Sequence, residues 1–557
     1  VTASEAAPQT PEVSTRQWIG LWVLATGLSM IVIDGTIVGV ALPTIIEDLS
    51  LDLTDSQWVN SLYSVVFAAL LLSTGRLGDR TGRRRVFIGG LVVFMIGSIM
   101  AATSNSAESL IVARVVQGVG GACILPGTLS TVNATFRGRN RAVAFGIWGA
   151  VISGAAAVGP LLGGWLTTYF SWEWIFWVNI PIGLAVLVGA LLTVPETRSG
   201  EHARGVDVDG LLLSAVGLGA LVFAVIEGST LGWWKPLKDF TVAGLTWPET
   251  WPISIIPPLF AVAVVALTTF VVWERHRARV HRSAILDLDL FEIETFSWGN
   301  VTAATVAVGE FAIVFVLPLF LVNALGLSTM GAGLVLAAMA LGAFFSGASA
   351  RHLAARYGAP KVVLIGLGLE SVGICAVALV LSDSVSGWWV AALLAVYGLG
   401  LGLASAQLTS TVLRDVPVNA SGQGSATQST VRQVGAALGA AVAGAALAAG
   451  LTHSLPAALE KVPGLSAQEA SQLAEGTKSS AGSTITALRD QGTASPLGDR
   501  TREATDALAQ GFADGSRWAL LAALVFVVLG FASATRVLIV SRRDPEPSTD
   551  ADVRTRE

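Results

Sequence analysis

Long apolar runs govern what this chain can fold into. A helix that crosses a bilayer needs about 20 mostly apolar residues, and the sequence supplies roughly 14 such runs. Six lie at 17–38, 57–76, 86–103, 108–129, 141–168 and 174–194. A pair follows at 208–227 and 253–273. Six more lie at 297–323, 331–350, 361–382, 387–410, 422–451 and 517–541. In hydrocarbon every backbone polar group must be satisfied within its own segment, which favours helices for runs of this length. Only 13% of the 557 residues are charged, against about 25% in soluble proteins. The expectation is an all-α membrane protein with 14 transmembrane helices.

Charge placement supports that count. The second connection carries Arg76, Arg80, Arg83, Arg84 and Arg85, and the fourth carries Arg137, Arg139 and Arg141. Arg275, Arg277, Arg279 and Arg282 fall in the eighth, and Arg351, Arg356 and Lys361 in the tenth. Arg542 and Arg543 follow the last span. The opposite side has Glu47, Asp48, Asp52 and Asp55 after the first span. Basic residues outside the spans favour one side by roughly three to one, the side that the positive-inside rule assigns to the cytoplasm. An even span count puts both termini there, so 1–16 and 542–557 are expected to be cytoplasmic tails. The polar stretch Val1 to Thr15 lacks the basic start and early apolar core of a signal peptide. The expected location is the cytoplasmic membrane, crossed many times.

The spans group into an N-terminal bundle of six (17–194), an inserted pair with its connections (195–296) and a C-terminal bundle of six (297–541). The connection 228–252 holds Trp233, Trp234, Trp247 and Trp251, which suit interfacial anchoring. Residues 452–515 are polar and rich in Ala, Ser and Thr, with short helical patterns such as Thr501 to Phe512. Few large apolar residues occur there, so an extracellular surface loop is expected rather than a folded domain. An internal echo links the two bundles. Leu77-Gly-Asp-Arg80-Thr-Gly82-Arg-Arg-Arg85 recurs as Leu353-Ala-Ala-Arg356-Tyr-Gly358-Ala-Pro-Lys361, each between the second and third spans of its bundle. Two related halves are a transporter architecture, with the substrate site near mid-membrane between them.

Several soluble activities find no support. There is no Gly-rich Lys loop of the kind that cradles nucleotide phosphates. His202, His276, His281, His352 and His453 lie in connections or at span ends, away from metal-ligand spacing. Cys123 and Cys375 sit in apolar runs and suit packing. No enzymatic activity, metal, cofactor or nucleic-acid partner is expected.

Five segments carry a family resemblance. Gly75-Arg-Leu-Gly-Asp79-Arg80-Thr-Gly82-Arg83-Arg84-Arg85 resembles the signature loop of the major facilitator superfamily, where it acts as a cytoplasmic gate between the halves. Arg114-Val-Val-Gln117-Gly118-Val-Gly120 in the fourth span resembles the family's second motif. Gly154-Ala-Ala-Ala-Val-Gly159-Pro160-Leu-Leu-Gly163-Gly164 in the fifth resembles the antiporter motif of exporters. Trp172-Glu-Trp174-Ile-Phe-Trp-Val-Asn179-Ile-Pro181-Ile-Gly183 and Asp34-Gly-Thr36-Ile-Val-Gly-Val-Ala41-Leu42-Pro43 resemble the 14-span drug:proton antiporter branch. Two positions depart from it: Glu173 stands where that branch usually has Arg, and Gly39 where it often has Asn. The resemblance implies a major facilitator fold of two pseudo-symmetric six-helix bundles plus an inserted helix pair.

Intramembrane ionisable residues are functional candidates by default. Asp34 ranks first for proton coupling because it matches the branch's acidic position. Glu310, in the ninth span, ranks second and rests on no motif. The resemblance gives Arg114 a part in coupling or in organising the cavity, with a structural ion pair as the alternative. Glu370 in the eleventh span and Arg432 in Thr430-Val-Arg432-Gln433-Val-Gly435 are secondary candidates. Glu370 could equally snorkel or bond a Ser, and Arg432 could pair with an acid or lie near the inner surface. Glu227, at a span end, reads as interfacial.

The expected function is proton-driven export of amphipathic or hydrophobic drugs, antiseptics or antibiotics by alternating access. The path would run between the two bundles, with the inserted pair outside it, in a monomer embedded in lipid and needing no cofactor beyond the proton gradient. A lipid or envelope-precursor exporter on the same fold is the nearest alternative. A non-transporting membrane sensor is the alternative of another class.

Overall fold

The computed structural model describes residues 14–136, 138–198, 207–242, 245–280, 282, 284–417 and 420–543. Most of the N-terminal tail, Arg137, His202, His281 and the C-terminal tail beyond Arg543 lie outside the described residues, as do the side chains of Asp79, Arg139 and Arg141.

The first half consists of α1 (Thr15–Leu49), α2 (Leu53–Thr81), α3 (Arg83–Ala102), α4 (Ala107–Thr135), α5 (Gly138–Tyr169), α6 (Trp174–Trp177) and α7 (Asn179–Thr193). The inserted pair is α8 (Val208–Leu231) and α9 (Ile256–Arg279). The second half consists of α10 (Glu294–Leu319), α11 (Thr329–Tyr357), α12 (Ala359–Val380), α13 (Gly387–Val412), α14 (Ser421–Leu459) and α17 (Thr501–Arg543). Between the last two lie α15 (Ala467–Ser479) and α16 (Ser483–Gln491). Thirteen helices among the described residues are long and apolar enough to cross a membrane. The 32-residue α5 occupies the place of the expected fifth span. The architecture is two bundles of six spans with an inserted helix pair between them in sequence, as the resemblance implies.

The sequence echo becomes a structural one. Gly82 separates α2 from α3 at φ +121°, and Gly358 separates α11 from α12 at φ +85°. Both turns need a backbone region that L side chains rarely adopt. Helix starts are marked by polar caps on the far side from the arginine-rich loops: Asp52, Ser106 and Ser328 accept from backbone N–H groups of α2, α4 and α11. Such caps satisfy donors that a helix cannot satisfy itself.

The sixth span runs from α6 into α7 through Val178, whose backbone is helical (φ −60°, ψ −26°), and Asn179 lies buried within it. Two features differ from the sequence reading. The 228–252 connection contains a small hairpin of β1 (Phe240–Val242) and β2 (Leu245–Trp247). The expected surface loop at 452–515 is largely helical. Helix α14 runs on to Leu459, α15 and α16 follow, and α17 begins at Thr501. Ile485 and Phe512 are fully buried in the same apolar cluster as Phe320 and Leu455. A few well-placed apolar residues suffice because the segment packs onto the second half instead of building its own core. Asn323 donates to the Ala481 carbonyl at 3.0 Å, and Arg489 donates to the carbonyl of Ala324 at 3.0 Å.

The halves meet most closely away from the arginine-rich loops. Thr44 of α1 and Thr329 of α11 share a hydrogen bond of 3.1 Å. A Cβ at Gly164 would come within 3.0 Å of the Thr329 carbonyl, and one at Gly333 within 2.7 Å of the Pro160 carbonyl. Ser61 of α2 donates to the Ala437 carbonyl of α14 at 3.1 Å. Backbones approach this closely only where side chains are absent.

Candidate functional site

Asp34 lies deep inside the first half. Arg114 of α4 donates through Nη1 to Asp34 Oδ2 at 2.6 Å and to Gln117 Oε1 at 2.7 Å. The other carboxylate oxygen, Oδ1, accepts from Gln117 Nε2 at 3.0 Å and Asn179 Nδ2 at 3.3 Å. Ser98 of α3 accepts from the same two amides at 2.9 and 3.2 Å. Arg114 Nε donates to the Val59 carbonyl at 3.3 Å, and the guanidinium sits 4.4 Å above the Tyr63 ring. Asp34, Arg114, Gln117 and Asn179 are all buried.

Five helices thus converge on one ion pair. Burying two charges is tolerable only when the remaining donors and acceptors are also satisfied, and this network largely achieves that. Arg114 therefore takes the form of the ion pair that the sequence left open. Asp34 does not stand open to a passage between the halves in this state. Gln117, Ser98, Asn179 and Tyr63 complete the site. Gln117 and Asn179 belong to quoted motifs, whereas Ser98 had no sequence signal beyond a polar residue in an apolar run.

The antiporter motif packs α5 onto α1 beside this network. A Cβ at Gly159 would collide with Thr36, and one at Gly163 would meet Ile37 at 2.9 Å. Gly164 reaches across to α11 of the second half. Pro160 is buried at that crossing. Gly154 has open space around it, so it is not part of the close approach.

Glu310 and Arg432 form a second pair, in the second half. Arg432 Nη2 of α14 donates to both carboxylate oxygens of Glu310 on α10, at 3.0 and 3.3 Å. Their side chains keep 17% and 43% exposure respectively, whereas the Asp34–Arg114 pair is sealed. Asp34 and Glu310 sit on α1 and α10, the first helices of their respective halves. Glu370 of α12 is fully buried, and neither of its oxygens has a hydrogen-bond partner among the described residues.

The gate motif is held by a residue the sequence reading did not single out. Glu196, beyond α7, accepts from the Arg84 backbone N–H at 3.2 Å and pairs with Arg85 at 3.7 Å. Arg83 N–H donates to the Thr197 carbonyl at 3.1 Å. Arg80 is exposed, and Gly75 packs against Pro126. Glu196 lies over Gly82, where a Cβ would strike its carboxylate.

The inserted pair is fastened to the first half at one end and braced within itself at the other. Trp58 of α2 donates to Glu227 of α8 at 3.0 Å, and Thr54 and Thr230 share a 2.9 Å bond. So Glu227 anchors α8 to α2. At the arginine-rich end Arg277 of α9 pairs with Asp207 at 3.0 Å, and Trp273 donates to the same carboxylate at 2.9 Å. Glu274 accepts from the Leu286 N–H at 3.0 Å. With the Gln423 amide oriented to accept, its oxygen takes Arg76 Nη2 at 3.0 Å and the Asp287 N–H at 3.2 Å. Gln423 lies in the first turn of α14, so this cluster also touches the second half. Midway, α8 packs its Val222 and Ile226 with Val65 of α2 and Ala437 and Ala441 of α14.

Comparisons with known proteins agree with this fold. The chain is 32% identical to the multidrug efflux pump LfrA of Mycolicibacterium smegmatis, over 80% of this chain and 83% of that one. It is 28% identical to the tetracenomycin C resistance and export protein of Streptomyces glaucescens, over 79% and 78%. It is 29% identical to the riboflavin transporter RibZ of Clostridioides difficile, over 79% and 90%. Among solved structures, an inward-facing, unoccupied bacterial homologue of the human lysosomal transporter Spinster superimposes with a TM-score of 0.56. That structure shares 17% identity and aligns over 95% of this chain and 99% of its own. The family model described as Major Facilitator Superfamily matches residues 24–440, and the chain belongs to that superfamily.

Proposed function

We propose that the chain exports amphipathic or hydrophobic small molecules from the cytoplasm or inner leaflet, in exchange for protons. The observation that carries this reading is the partly exposed Glu310–Arg432 pair. A carboxylate shared by a guanidinium can exchange that partner for a proton, and alternating exposure then converts protonation into a driving force. Asp34, held by Arg114, is the corresponding acid in the first half, and its pair is sealed in this state. Resistance and efflux proteins at about 30% identity support the substrate class.

In this reading the arginine-rich loops face the cytoplasm, as the positive-inside rule would have it. The tight crossings at Gly164, Gly333 and Ser61 then close the outer side, so the state described is closed outward. Gly75, Asp79, Arg80, Gly82 and Arg83 form the inner gate. Gly159, Pro160, Gly163 and Gly164 form the helix crossing that couples α5 to both halves.

The test is ethidium accumulation in cells expressing the chain, with and without a protonophore. The proposal expects lower accumulation than in control cells and recovery when the proton gradient collapses. A parallel panel of neutral antibiotics and riboflavin defines the substrate range. Accumulation that is unchanged for every compound would overturn the export reading.

A further inference from the structure

Gln57, in the second turn of α2, lies buried where the first half meets α14 of the second. A Cβ at Gly444 of α14 would collide with the Gln57 amide, so this side chain fills the room that the glycine leaves. One turn further along α2, Ser61 donates to the Ala437 carbonyl of α14 at 3.1 Å. One turn beyond that, Val65 packs with Ala437 and Ala441. Gln57, Ser61 and Val65 thus lie on one face of α2, the face that closes on α14.

The Gln57 amide does not share the bonding of its neighbours at the junction of the halves. Thr44 and Thr329 bond each other across it, and Ser61 bonds Ala437. Gln57 Nε2 and Oε1 are both buried, and neither has a hydrogen-bond partner among the described residues. An amide offers two donors and an acceptor. Burying it unpaired carries a penalty that an apolar side chain of the same shape does not. The penalty lasts only while α2 and α14 are closed on each other, because a parted seam admits water to the amide.

We propose that Gln57 is a gating residue that holds the closed seam between α2 and α14 in check. Its unpaired amide raises the closed state relative to the state in which the halves have parted on the side away from the arginine-rich loops. The glycine opposite admits the side chain without giving it a partner. Closure therefore remains possible but is never deep, and reopening to release a substrate meets a smaller uphill step. This deepens the export reading and rests on it for its role in transport, although the bias on the seam does not.

The test is the labelling rate of a cysteine at the seam. Ser61→Cys is introduced into the full chain with Cys123→Ala and Cys375→Ala, and the protein is purified in lipid nanodiscs without substrate or gradient. Ser61 is fully buried in the state described, so a water-soluble methanethiosulfonate reaches that position only when the seam parts. Gln57→Met keeps the length of the side chain and removes the polar groups. It should slow labelling by about fivefold or more, the equilibrium equivalent of one unpaired buried group. Gly444→Ala, which crowds the closed seam, should speed labelling. Gel filtration and circular dichroism show which variants are folded, and Gln57→Met decides alone if Gly444→Ala is not. Labelling of Gln57→Met at the native rate or faster, labelling of folded Gly444→Ala no faster than native, or no labelling of the parent chain at all would overturn the proposal. Labelling in the expected order from a chain that exports no compound would instead overturn the export reading and leave the gate standing.

Discussion

Arg114 and Asp34, 80 positions apart in sequence, meet at 2.6 Å with both side chains sealed from solvent. The polar contacts around them come from α2, α3, α4 and α7 of the first half. Glu310 and Arg432 make a pair at 3.0 Å that is not sealed. The two pairs share their chemistry and differ in exposure, and the proposed exchange with protons rests on that difference.

Removing one partner of the sealed pair should be costly. Asp34→Asn leaves Arg114 buried without its counter-charge, for an expected loss of ~3–5 kcal/mol of stability. The double variant Asp34→Asn/Arg114→Gln should lose less than the two single variants combined. Thermal melting of the purified proteins, followed by tryptophan fluorescence, measures both.

The crossing of α5 and α11 should tolerate no added bulk. Gly333→Val pushes a side chain into the Pro160 carbonyl and should cost about 1–3 kcal/mol. It should also lower export at normal membrane abundance, because closure on that side needs this contact. Gly154→Ala, with open space around it, should leave export unchanged. Immunoblotting of membranes alongside ethidium accumulation separates the two effects.

The inserted pair should resist detachment at its Trp58 anchor. Trp58→Phe keeps the ring packing but removes the hydrogen bond to Glu227, a loss of about 1 kcal/mol. Arg277→Gln leaves the Asp207 carboxylate buried without its cation and should have the larger effect. Its signature should be faster proteolysis of the connection after α9, read by mass spectrometry of the fragments.

Much of the architecture was legible in the sequence because hydrocarbon leaves a chain few choices. Runs of apolar residues marked the helices, and the Gly82 and Gly358 echo marked equivalent turns. The resemblance pointed to Asp34 and Arg114 but not to their mutual contact. Ser98 and Tyr63 were not legible, since a polar residue in a span carries no address for its partner. Glu310 was visible as a charge in an apolar run, but its pairing with Arg432 crosses 122 residues. The 452–515 segment was misread because packing onto an existing surface needs fewer apolar residues than an independent core. Glu227 was read from its place at a span end, and its bond to Trp58 was not legible because that partner lies on another helix.

The most direct test of the account is substrate-driven proton movement in everted membrane vesicles, comparing native protein with Glu310→Gln. Vesicles are energised, and ethidium is added while a pH-sensitive dye reports the lumen. The account predicts proton release from the lumen with native protein and its loss in Glu310→Gln at equal membrane abundance. Native protein that moves no protons with any exported compound, or a Glu310→Gln variant that moves them at the native rate, would contradict it.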